Sequence, residues 1–193
     1  MTRPPASLTL ARLREALVTV LDELPGTVRT EYRLVGTAAA LLHGVQLPAA
    51  DVDLLVRTRA IVDAFGAALS SFPCLDAPSW LPHTRQYYAN YEVGGVEVGI
   101  STVEVESDLD TIETFGRGPW ERFVLLPCGP HAVPAVALEL RLITELYRNR
   151  PDRYRPLIEF MRGKGFDLDL IRRGMIVAGL PGSMQDEITG QLG

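Results

Sequence analysis

The sequence predicts an α/β (α+β) protein: a mixed-sheet core followed by a small C-terminal helical subdomain. Three observations carry this. Short apolar runs of strand character, at 32–35, 51–56, 87–101 and 123–126, are interleaved with helical periodicities. Gly94-Gly95 joins two of these runs with the two-residue spacing of a hairpin turn. From Pro134 onward only three- and four-residue hydrophobic steps remain. The expected division is therefore a core over 1–133 and a helical part over 134–193.

Taken in order, Ser7 is placed to cap a helix whose Leu10, Leu13, Leu17, Val20, Leu21 and Leu24 share one face, with Pro25-Gly26 as its stop. Tyr32–Val35 reads as a short buried strand. Gly36-Thr37 turns it into an alanine-rich helix that ends at His43, with Gly44 as its C-terminal glycine. The strand that follows opens on Asp51-Val-Asp53. Thr58 then starts an amphipathic helix through Ile61, Phe65 and Leu69. Residues 74–86 read as a loop, and Tyr87–Val93 with Val96–Ser101 as a hairpin. Residues 104–113 carry Glu104, Glu106, Asp108, Asp110 and Glu113 and read as an exposed acidic segment. After one more strand suggested by Trp120 and Phe123 to Leu126, Pro134 fits the first position of a helix that buries Val136, Leu140, Ile143, Leu146 and Tyr147. Helices through Leu157 and Met161, after Asp167, and from a Ser183 cap with Asp186 three residues on complete the chain.

Composition narrows the function classes. The 193 residues carry a net charge of −5, yet residues 141–173 hold nine basic against five acidic side chains, a segment suited to phosphate. No apolar run reaches membrane-spanning length, and the first residues lack an apolar signal core, so a cytoplasmic protein without a membrane role is expected. Cys74 and Cys128 have neither zinc nor disulfide-framework spacing and are expected as reduced thiols.

The chemistry concentrates between Val35 and Val56. Carboxylates at i and i+2 on a strand share a face, roughly 6.5–7 Å apart at Cα. Such a pair repels unless it is solvated or holds a cation. A Gly-Thr turn at a helix start offers N–H groups and a hydroxyl to phosphate oxygens. Together they form a site for a metal-bound nucleoside triphosphate. Two further Asp-x-Asp pairs differ in context. Asp108/Asp110 lies in the acidic segment, and Asp167/Asp169 precedes a helix, where Asp is an ordinary cap.

Gly36-Thr37, a helix, and Asp51-Val-Asp53 opening an apolar strand resemble the signature of the nucleotidyltransferase superfamily, the polymerase-β-like fold, over residues from about 30 to 101. The resemblance implies Asp51 and Asp53 as ligands of Mg²⁺, with Gly36 and Thr37 around the phosphates. It also implies a third carboxylate on the strand after Gly95. Gly99 stands at that position, which leaves Glu97, one pleat earlier, as the substitute. Arg141, Arg148 and Asp152 resemble the downstream basic-and-acidic motif of the AbiEii-like branch that includes the MenT-type toxins. That branch implies transfer of a nucleotide from an NTP to the 3′ end of tRNA, with a cognate antitoxin as partner. A small-molecule nucleotidyltransferase and a non-catalytic nucleotide-binding relative remain as alternatives. Thr37 is expected at an exposed helix start of positive potential, where an added phosphate would block the pocket.

Overall fold

In the computed structural model, which describes residues 7–193, seven strands and eight helices follow the order α1-β1-α2-β2-α3-β3-β4-β5-α4-β6-β7-α5-α6-α7-α8. The helices are α1 (Leu10–Glu23), α2 (Gly36–His43), α3 (Arg59–Ala68), α4 (Gly118–Glu121), α5 (Leu138–Tyr147), α6 (Pro151–Lys164), α7 (Leu168–Val177) and α8 (Gly182–Leu192). The strands are β1 (Tyr32–Val35), β2 (Val52–Val56), β3 (Cys74–Leu81), β4 (Gln86–Val93), β5 (Val96–Ser101), β6 (Phe123–Cys128) and β7 (His131–Val136).

The strands form one mixed sheet in the order β3-β4-β5-β2-β1-β7-β6. β2 runs parallel to β5, and β7 parallel to β1; the other neighbours are antiparallel. The central strands β1 and β2 are short and almost wholly apolar because both faces are covered. Val52, Leu54, Val98 and Ile100 turn one way into a core shared with Leu13, Leu17 and Val20 of α1 and Val62 and Phe65 of α3. A second apolar cluster joins Ala40 of α2 to Leu142, Leu157, Met161, Ile171 and Met175 of the C-terminal helices. α2 therefore belongs to both cores. Whatever sits at its N-terminus is held by the sheet and by the helical part together.

Several local expectations are corrected. Thr9, not Ser7, caps α1, accepting from Arg12 N–H at 3.3 Å. Residues 74–81 form the edge strand β3 rather than a loop. Both of its faces are largely solvated and its register shifts on either side of Asp76, so no period-2 pattern marks it; pairing with β4 supplies the order. Trp120 lies in the short helix α4 instead of a strand. Pro134 is inside β7, opposite Leu125, and the helix begins four residues later at Leu138. Only one residue pair, Leu34–Ala135, links β7 to β1, so the missing proline N–H is tolerated there. Ser183 lies within α8, whose N-cap position is Pro181. Tyr147 is 68% exposed rather than buried.

The long connection 102–117 between β5 and α4 is irregular but anchored. A Cβ at Gly118 would collide with the backbone of Ile112, which leaves only glycine room where this segment meets α4. Gly118→Ala is therefore expected to cost about 1–3 kcal/mol, because a peptide group rather than a side-chain tip must move. Chemical denaturation would read this as a lower midpoint at unchanged slope.

Candidate active site

β1 hands the chain to α2 at a place where only glycine fits. Val35 is extended, and Gly36 takes φ +72° as the first helical residue. A side chain at Gly36 would also meet the Asp53 carboxylate, since an added Cβ would lie 2.7 Å from its Oδ2. The Asp53 carboxylate thus rests against the start of α2. α2 closes at Gly44 in the left-handed conformation, its N–H satisfying carbonyls of Ala40 and Leu41.

Asp53 lies in register with Val35 on one side and Gly99 on the other. Its side chain opens to the cleft, yet its carboxyl is pushed up to about 6. Desolvation by the surrounding protein is the main cause; Asp51 and then Glu113 add to it, and Arg141 and Arg148 oppose it. The vacancy at Gly99 is filled by Tyr88 of β4. A Cβ on Gly99 would stand 3.1 Å from Tyr88 Cε2 and 3.3 Å from its hydroxyl. Burial, followed by Asp76, Asp53, Glu97 and Asp51, pushes the Tyr88 hydroxyl up to about 12, so it stays protonated beside the acids. Glu97 is exposed, opposite Glu92 in the β4–β5 ladder, and does not line the cleft around Asp53.

The opposite wall is cationic. Arg141, only 4% exposed, donates to both oxygens of Glu113 at 2.9 and 3.2 Å, to Glu145, and to the Thr37 hydroxyl at 3.4 Å. Arg153 of α6 also donates to the Thr37 hydroxyl. Its guanidinium is held below its ordinary value, first by burial and then by the Arg150 and Arg141 charges. Arg148 reaches the same cleft, which encloses about 360 Å³ between Asp51, Asp53, Thr37 and the three arginines. Asp152 lies outside it, exposed and paired with Arg150 at 3.4 Å.

Two expectations change here. Thr37 is buried, not exposed, and sits one residue inside α2, with its hydroxyl already engaged by two arginines. The Gly36 N–H is not free either: it donates to Glu113 Oε1 at 2.8 Å. A carboxylate that is 2% exposed therefore occupies the position where a helix N-terminus and an arginine would receive a phosphate. Glu113, Glu145, Arg153 and Tyr88 had not been singled out. The Arg141/Glu145 spacing of four is a legible helical ion-pair signal. Glu113 gave none, since in sequence it is one acid among five in a segment that reads as solvated.

A divalent cation fits this donor set in a limited way. Among the described residues no group of three or more His, Cys, Asp or Glu is arranged to hold a metal. Asp51 and Asp53 offer hard oxygens, and the Asp53 carboxyl is raised first by desolvation and then by the neighbouring Asp51 and Glu113 charges. That suits Mg²⁺ sharing its remaining ligands with phosphate and water, and does not suit a closed protein-only site.

The sequence matches no family model and no curated protein. Solved structures do resemble it. A Thermotoga maritima protein described as a candidate nucleotidyltransferase superposes with a TM-score of 0.57 at 14% identity, covering 84% of this chain and 100% of its own. The fold is nucleotidyltransferase-like. An antigenic nucleotidyltransferase-like protein of Paracoccidioides brasiliensis gives a TM-score of 0.50 at 14% identity, over 97% of this chain and 94% of its own. At such identity the likeness concerns the fold, and the chemistry has to be argued from the cleft itself.

The Asp53 carboxyl makes a pH prediction for the metal-free protein. Its folded value of about 6 exceeds the ordinary 3.8, so between those values the folded state binds the extra proton. Stability then falls as pH rises through this window, and above it the charged Asp53 opposes folding. Asp53→Asn should melt at the wild-type temperature near pH 4 and above it at pH 7. Thermal melts in a chelator across pH 4–8 check this, and a gap that does not change with pH would contradict it.

Proposed function

We propose that this protein is a Mg²⁺-dependent nucleotidyltransferase, moving a nucleoside monophosphate from an NTP to an acceptor hydroxyl with release of pyrophosphate. One observation carries this reading. An acid pair, Asp51/Asp53, rests against a glycine-led helix start, while Arg141, Arg148 and Arg153 converge on the same 360 Å³ cleft. Acid for a cation and cation for a polyphosphate, facing each other across one small space, is what triphosphate chemistry needs.

The roles follow from position. Asp51 and Asp53 would hold Mg²⁺, which when bound screens the phosphates and favours attack at the α-phosphorus. Arg148 and Arg153 bind the phosphate tail, and Thr37 lines its seat. The Gly36 N–H and Arg141 become available to phosphate when Glu113 withdraws, so the nucleotide replaces one anion with another. The acceptor hydroxyl forms the new bond to the α-phosphorus as the bond to the β-phosphate oxygen breaks. Its proton has no carboxylate on β5 beside Asp53 to go to, because Tyr88 fills that place. It passes to Glu97, on the same face one pleat earlier, to Asp152 or to water; neither acid lines the cleft, so a water relay would serve either one. In this scheme the helical part beyond residue 133 is a subdomain that lends its arginines to a core built by the preceding residues.

For the acceptor, the basic run 141–173 and the resemblance to the AbiEii and MenT-type branch support the 3′ end of tRNA, in a toxin–antitoxin pair. A second reading, a nucleotide-binding relative without catalysis, draws on Tyr88 at the third-acid position and on Glu113 in the phosphate seat. Incubation with Mg²⁺, labelled NTPs and total RNA separates the readings. A labelled tRNA-sized band is expected, with at least about a hundredfold loss in Asp51→Asn and Asp53→Asn. Labelled small alcohols with untouched RNA would point to a small-molecule acceptor; nucleotide binding without transfer would favour the second reading.

Two more outcomes follow. Thr37→Ser should keep transfer, while Thr37→Glu, adding a carboxylate among the arginines, should abolish it without unfolding the chain. Glu113→Gln should lower the melting temperature, because Arg141 loses a charged partner. The same change should bind Mg-NTP more tightly than the wild type, since no carboxylate competes for the seat. Calorimetry on the two proteins checks the second point, and weaker binding by the variant would contradict the exchange of anions.

A further inference from the structure

The triphosphate cleft is not the largest cavity in the protein. A space of about 570 Å³ adjoins it, and the two share Leu55, Val103 and Thr114 as walls. It is lined by Leu55, Val56 and Arg57 at the end of β2 and by residues of the segment 102–117. Its size lies within the range of small-ligand pockets.

Trp120 and Arg57, which line this cavity, belong to a stack of planes that continues behind its wall. Arg33, 8% exposed, is fixed by its Nε–H to the Pro119 carbonyl at 3.1 Å and by Nη1 to the Tyr32 carbonyl at 2.7 Å. Its guanidinium packs 3.9 Å from the centre of the Phe123 ring and 4.8 Å from that of Trp120. Trp120 in turn carries Arg57 at 4.1 Å. Arg33 is thus spent on structure; Arg57 is not. Arg57 is exposed, lines the cavity, and among the described residues makes no hydrogen bond or ion pair. Five N–H donors on a plane held over an indole, facing a cavity beside a triphosphate site, lack a partner. Glu106 and Asp108 also line the cavity, and their carboxylates make no side-chain ion pair among the described residues.

We propose that this cavity is a nucleobase site, with Arg57 on Trp120 as the stacking platform and Glu106 as the acceptor for base N–H groups. It rests on the nucleotidyltransferase reading and deepens it. Guanidinium planes and aromatic rings stack on any base, worth about 1–3 kcal/mol for each stacked base. With the guanidinium plane used for stacking, a carboxylate of the same cavity can accept from the N–H groups on the base edge. The base belongs either to the incoming NTP or to the last nucleotide of an RNA acceptor. Both present the same ring, and the experiment tells them apart.

The experiment titrates inorganic tripolyphosphate, NTPs and an RNA acceptor against the wild type, Arg57→Ala, Arg57→Lys and Glu106→Gln. Arg57 is exposed and off the core, so all variants should melt like the wild type. Expected is a loss of about tenfold in Arg57→Ala and nearly as much in Arg57→Lys, which keeps the charge but not the plane. If that loss is in NTP affinity while tripolyphosphate binds unchanged, the base is that of the incoming nucleotide. If it appears only as a raised KM for the RNA acceptor, the base is the acceptor's. Should neither quantity change in any variant, or should tripolyphosphate affinity fall in step with that of NTP, the proposal is overturned and the cavity is only slack under the segment. Failure of the nucleotidyltransferase reading looks different: the wild type then binds no tripolyphosphate and transfers nothing. In that case free nucleosides quenching Trp120 fluorescence in a Trp80→Phe background would still support the base site, and unchanged emission would overturn it.

Discussion

Arg141 is enclosed between two carboxylates, Glu113 and Glu145, at a point where three parts of the chain meet. Glu113 belongs to the irregular segment 102–117, Glu145 to α5, and the third contact, Thr37, to α2. Taking these charges out of water is costly, and the arrangement survives only because each is answered by the others. Removing one partner of such a set typically costs about 3–5 kcal/mol, more than a surface ion pair can contribute. Arg141 thus ties the segment 102–117 to α5 and α2, while Arg59–Glu104 and Arg122–Asp110 hold the same segment nearer the surface.

The cleft is electrostatically uneven. Arg141 is paired with Glu113 and Glu145, and its pull on the Asp53 carboxyl does not offset desolvation. The Asp53 carboxyl stays raised although two arginines act on it. Arg153 shows the mirror image, a cation held down first by burial and then by its cationic neighbours. Acids on one wall of the cleft and arginines on the other are the pattern on which the proposed metal-bound polyphosphate reading rests. Glu113 satisfies part of this pattern from within, supplying to Gly36 and Arg141 the negative charge that a phosphate would bring.

The parts of this picture that the sequence disclosed are those with local causes. The strand–Gly-Thr–helix unit, the Gly44 stop, the Asp51/Asp53 strand and the Gly94-Gly95 hairpin depend on neighbours in sequence, and the structure has them where expected. β3 was missed because an edge strand wet on both faces leaves no alternation to read. Pro134 misled because its fixed φ suits both a first helical turn and a sparsely paired strand. Glu113 and Arg153 were missed for a different reason. Each acts on Gly36-Thr37 from 77 or more residues away, and nothing in a run of acids or arginines distinguishes the one that folds inward.

Tyr88 and Gly99 show how such a pairing becomes visible only in register. Read alone, a glycine where a third carboxylate is expected looks like a loss. In the sheet, Asn90 stands opposite Gly99 and Tyr88 lies diagonal to it on the same face, so the glycine's missing side chain is the space that the ring occupies. Restoring an acid at Gly99 would therefore displace a tyrosine from a crowded site, besides bringing a further negative charge to an already raised Asp53. The two residues make one arrangement, in which a neutral hydroxyl replaces an anion beside the acid pair. A cation held there must rely more on the ligand's own oxygens than it would with three protein carboxylates. On this geometry, metal and nucleotide are expected to bind as a unit.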